Sequence, residues 1–131
     1  MGDINMLAVV IATIAFFMVG ALWYGALFGK PWQREAGITE APQGRQVAKI
    51  MGLTFAFELL VVLMLDHTIA RTGASGHVIM MIATGFGLSI MTPAIGINYL
   101  HQRKSLTLFL IDAGHFVVGM AAAGAVLLAM R

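Results

Sequence analysis

The chain has 131 residues, of which 60% are hydrophobic and only 11% are charged, against roughly 25% charged in an ordinary soluble domain. Its mean hydropathy is +0.89. A soluble domain of this length buries too small a fraction of its chain to hide that much apolar surface, so the composition excludes a water-soluble globule and points to the bilayer as solvent. A net charge of +2 from scattered Lys and Arg offers no basic face for nucleic acid, and the lack of Cys removes disulfides, thiolate metal sites and Cys nucleophiles.

Four apolar runs, at 4–28, 47–70, 77–100 and 105–130, are each long enough to cross a hydrocarbon core of about 30 Å at about 1.5 Å per residue. Backbone polar groups in lipid must be satisfied within the segment. The runs also lack the alternation of a membrane barrel, so they are expected to be helices in an all-α membrane fold. The two short connectors make their flanking helices antiparallel neighbours, which predicts a single four-helix transmembrane domain over 1–131.

The first run exceeds the length of a cleavable signal, and Asp3 stands where a signal carries basic residues. It ends in Gly20-Ala-Leu-Trp-Tyr-Gly25-Ala-Leu-Phe-Gly29-Lys-Pro-Trp32. Trp23, Tyr24 and Trp32 are expected to form an interfacial aromatic belt, with Lys30 snorkelling to headgroups. Gly25 and Gly29 form a small-xxx-small step suited to close helix contact.

The second run carries Glu58, eleven residues past Val47 and hence about 16 Å along the helix, near the bilayer midplane. Thr54 lies one turn before it on the same face. In the third run Gly85, Ser89, Thr92 and Gly96 form a narrow small and polar stripe. Pro93 there lacks an N–H, which deprives the Ser89 carbonyl of its helical partner. The fourth run places Asp112 and His115 three residues apart on one face, with His115 at nearly the depth of Glu58. That face continues through Gly119, Ala122, Ala123 and Val126, so the polar pair is expected to point into the bundle.

Lys30, Arg34, Arg45, Lys49, Arg103 and Lys104 fall on one side of the membrane, against Arg71 and Arg131 on the other. The bias predicts cytoplasmic first and third connectors and both termini outside. Asp66, His67 and His77 gather near the outer end. Sequential Asp66 and His67 point about 100° apart, however, and read as solvated loop residues rather than metal ligands. Asp112, His115 and Glu58 likewise lack a metal-ligand spacing signature, so no metal and no cofactor is expected.

The string at the end of the first run, with Asn98-Tyr99-Leu100 and the stretch from Leu106 to His115, resembles the bacterial family of small membrane proteins catalogued as domain of unknown function 1761. The resemblance spans the chain in length and helix layout. Ala26 stands where that family usually has Pro, and His101-Gln102 where an aromatic-acidic pair is common. It implies four transmembrane helices, a bacterial cytoplasmic membrane location and no established activity.

Costly ionisable groups at membrane depth mark functional positions. The midplane set of Glu58, Asp112, His115, Ser89, Thr92 and Thr54, with the break at Pro93, points to a proton- or cation-linked transporter or channel that works as a homo-oligomer. The alternative is a non-catalytic accessory or scaffold subunit of a larger membrane complex, in which the same residues are interhelical glue. No nucleophile, phosphate-loop or dinucleotide motif argues for an enzyme.

Overall fold

The computed structural model describes residues 3–131 and contains helices and turns but, among the described residues, no strand. Four helices are long and apolar enough to cross a membrane: α1 (Met6–Leu27), α3 (Arg45–Thr72), α4 (His77–Gln102) and α5 (Leu106–Ala129). Each end lies within two residues of the ranges drawn from hydropathy. A short amphipathic helix, α2 (Gly29–Ala36), follows α1 and ends at Gly37, whose φ of 73° suits glycine.

Local chemistry sets the ends. Asn5 caps α1 by accepting from the Ala8 N–H at 3.1 Å, and Ser105 caps α5 by accepting from the Leu108 N–H at 3.1 Å. Two stretches widen to π-helical turns, Leu22–Leu27 in α1 and Gly87–Met91 in α4. In the second, both the N–H and the hydroxyl of Thr92 reach back to the Gly87 carbonyl, the hydroxyl at 2.8 Å. The helix thus accommodates Pro93 by changing hydrogen-bond register just before it.

Helix α5 is the centre of the molecule, packing against α1 on one side and α4 on the other, while α3 packs on the far side of α1. Although a short turn at 73–76 joins α3 to α4, the two make little contact with each other. The core occupies one half of the bundle, the half holding the 73–76 turn, Asn5 and Arg131. There Ala8, Ala12, Leu65, Ile79, Met120 and Leu127 are all buried.

Glycines bring these helices together. A Cβ on Gly124 would lie 2.6 Å from the Ala83 Cβ of α4, and one on Gly87 would lie 3.1 Å from the Val117 Cα of α5. The Ala83 methyl is fixed to its backbone and cannot swing aside, so Gly124→Ala must push α4 from α5. We expect it to destabilise by about 1–3 kcal/mol. Gly52→Ala, where an added Cβ meets nothing within 4 Å, should leave the melting temperature unchanged or slightly raised, because alanine favours helix. Thermal unfolding of the two variants in detergent separates close packing from helix propensity.

The packed end is also closed by charge. Asp66 is fully buried; its Oδ1 lies 2.6 Å from the Arg131 guanidinium, and its Oδ2 accepts from the Asn5 N–H at 2.9 Å. This corrects the reading of Asp66 as a solvated loop residue. His67 and His77 remain exposed, and neither joins Asp66 in a ligand set. The sequence separation of 65 residues between Asp66 and Arg131 hid a pairing that only the helix order creates.

Candidate functional site

In the other half of the bundle α3 and α4 diverge, and a cleft of about 990 Å³ opens between them. Helices α1 and α5 form its floor, and α2 lies at its mouth. Exposed Gln46, Gln102 and Lys104 stand at the rim; Glu58 and His115 lie at the depth where the packed half begins.

The aromatic motif builds this cleft. Trp23 and Tyr24 lie in the π turn at 22–27, and both reach α5. The Trp23 indole N–H donates to the Ile111 carbonyl at 2.7 Å, and the Tyr24 hydroxyl donates to Asp112 Oδ1 at 2.5 Å. Gly114 leaves the room for that indole: a Cβ there would lie 2.9 Å from Trp23 Cζ2. Trp23 and Tyr24 are therefore interhelical ties, a role that residue type did not announce.

Trp32 on α2 turns its ring to Tyr24, at 5.0 Å between centroids, and lines the cleft. Gly25 meets nothing within 4 Å, and the added Cβ on Gly29 would strike the Tyr24 carbonyl of its own chain segment. The small-xxx-small step is thus not a helix–helix contact. Lys30 is exposed.

Asp112 is the junction of three helices. Its second oxygen accepts from the Tyr99 hydroxyl of α4, so α1 and α4 are both bonded to α5 through one carboxyl. Tyr99 was missed as a site residue in the sequence. Its signal is depth: it sits about one turn before the 103–105 turn, and Asp112 sits under two turns after it.

Glu58 and His115 differ from Asp112 in having no internal partner. Glu58 is 5% exposed and His115 is 6% exposed. Neither Glu58 Oε1 nor either His115 ring nitrogen has a hydrogen-bond partner among the described residues, so the two side chains face one cleft without bonding each other. Gly20 makes room for the imidazole, since a Cβ there would stand 3.0 Å from His115 Nε2. Roughly nine in ten buried polar atoms are satisfied within a fold. Three unpaired ones at the blind end of a cleft call for a partner from outside it.

The remaining midplane candidates divide. Thr54 lines the cleft one turn from Glu58. Thr92 spends its hydroxyl on its own helix, as Thr13 does on the Val9 carbonyl at 2.7 Å. Ser89 and Pro93 are exposed on the outside of the bundle and do not line the cleft. The third-run stripe therefore does not share a site with Glu58: the π turn at Gly87–Met91 breaks the 3.6-residue period that put Ser89 and Thr92 on one face.

A helical fold with four helices apolar enough to cross a membrane, and a largely apolar cleft that holds a few buried polar groups, is the class of protein these features define. The family model described as "Protein of unknown function (DUF1761)" matches residues 7–128, and the chain belongs to that family. Comparison with curated proteins and with solved structures finds no match.

Proposed function

We propose that this protein is a proton- or cation-linked transporter or channel whose binding site is the cleft between α3 and α4. The observation that carries the reading is the pair of buried, unpartnered groups at its blind end, Glu58 and His115. A carboxyl and an imidazole at membrane depth are the side chains that exchange protons and hold cations. In this reading the connectors rich in Lys and Arg lie in the cytoplasm, so the cleft opens to the cytoplasm and the Asp66–Arg131 end faces outward.

The packed half closes the far end of the cleft. Passage therefore requires that half to open as the cleft narrows. Gly73 and Gly76, with φ of 67° and 58°, supply a compliant turn between the two helices that must move. The test is flux. Purified protein in sealed liposomes, with a pH dye trapped inside and a potential imposed, should carry protons or sodium faster than protein-free liposomes. Rates equal to the protein-free control for protons, sodium and potassium at both signs of potential would overturn the proposal.

A further inference from the structure

Resting on the reading of the cleft as the transport site, we infer that its substrate is a hydrophobic organic cation, held by the Glu58 carboxyl and by the aromatic wall that runs from α2 to α5. Size is the first argument. About 990 Å³ is far more than an inorganic ion or a simple amino acid fills, and it stands at the upper end of the roughly 300–1,000 Å³ typical of pockets for drug-sized ligands.

Charge is the second. Both oxygens of Asp112 are engaged by tyrosine hydroxyls, whereas Glu58 Oε1 has no donor among the described residues. Among the described lining residues Lys104 alone is Lys or Arg, and it is exposed at the rim. An anion entering the cleft meets no described Lys or Arg at depth, while a cation meets a carboxyl.

The third argument is the wall itself. Trp32 and Tyr24 stand 5.0 Å apart at 60°, Tyr24 and His115 5.0 Å apart at 66°, and His115 and Phe116 4.8 Å apart at 50°. These rings form a continuous tilted row from the mouth to the blind end, and all four line the cleft. Ring faces attract a cation whose charge is spread over an apolar body, a quaternary ammonium or phosphonium above all. A divalent metal would need several oxygen ligands, and the depth of the cleft offers one free carboxyl.

The experiment uses two ions of matched shape and opposite charge. The full chain in detergent is titrated with tetraphenylphosphonium and, separately, with tetraphenylborate, read by tryptophan fluorescence and by calorimetry. Saturable binding of the phosphonium, at least about tenfold tighter than the borate, is expected. Glu58→Gln should weaken phosphonium binding by about tenfold or more. Trp32→Ala should weaken it several-fold and Trp32→Phe should restore most of it. Glu35→Gln, outside the cleft, should leave it unchanged.

Equal affinity for the two ions overturns the inference, and that comparison needs only the unsubstituted protein, so it stands even where Glu58→Gln fails to fold. Unchanged phosphonium affinity in a folded Glu58→Gln variant also overturns it. Flux of protons or sodium without phosphonium binding overturns this inference and leaves the transport reading standing. Phosphonium binding in a protein that carries no flux of any of these ions overturns the transport reading alone.

Discussion

Glu58→Gln is expected to abolish proton- or cation-linked flux in liposomes while leaving the fold and the thermal midpoint nearly intact. Glutamine keeps the volume and the hydrogen-bonding capacity of the side chain but can neither release a proton nor carry a charge. The fold makes no described hydrogen bond to Glu58 Oε1, so the substitution breaks no internal contact there. A carboxyl retained only for packing would tolerate this change without consequence. Glu58→Asp keeps the ionisable group but draws it back by one methylene, and should retain part of the flux. Rates measured side by side for the two variants, with melting curves on the same preparations, distinguish a chemical role from a structural one. Normal flux in Glu58→Gln would remove the carboxyl from the mechanism.

The second large effect should fall on stability and should come from the other buried carboxyl of the cleft. Asp112→Ala removes the acceptor shared by Tyr24 and Tyr99 and so unties α1 and α4 from α5 at one stroke. Interhelical hydrogen bonds in membranes average about 0.6 kcal/mol and rarely exceed about 1.7 kcal/mol. Two short bonds to a carboxyl place the loss at about 1–3 kcal/mol. The tyrosines line the cleft, so they can be solvated after the loss, which keeps the penalty below that of an orphaned phenol in a dry core. Asp112→Asn should cost less, because the amide can accept from one tyrosine and donate to the other. Tyr24→Phe and Tyr99→Phe each remove one bond, and in the Asp112→Ala background neither should have a further effect. Melting curves in detergent across this set form a double-mutant cycle. An Asp112→Ala protein that melts with the unsubstituted chain would show the junction to be energetically idle.

The contrast between these carboxyls bears on what a sequence of this kind discloses. Counting residues from the ends of the apolar runs puts Glu58 and His115 at one level, and the structure brings both to one cleft. Direction was legible only where the helical period is unbroken. Each of the two π turns rotates the helix about its own axis. Trp23 and Tyr24 lie in one such turn and reach Ile111 and Asp112; Ser89 lies in the other and is exposed. Trp and Tyr near the end of a span fit both a lipid belt and an interhelical tie, so residue type could not choose between them. Asp66 shows a third limit, since nothing near it in the chain announces Arg131 or the Asn5 N–H. The order of helices decides such pairings, and hydropathy does not encode that order. Tyr99 was within reach, because it lies in one of the stretches that carry the family likeness and close to Asp112 in depth.

The unequal halves of the bundle also divide the molecule in time. Around Ala12, Leu65, Ile79 and Leu127 each helix is held by buried neighbours and by the Asp66–Arg131 pair. The first turns of α3, where every residue from 45 to 53 is exposed, have no such support. Regions with few buried contacts open at lower free energy and on shorter timescales than the core. Amide hydrogens near the tightly closed end should therefore be the last to exchange with deuterium, and those of the first turns of α3 among the earliest. The wall of the cleft is then the part that yields often, and the end that seals it, which must part for passage, is the part that yields seldom.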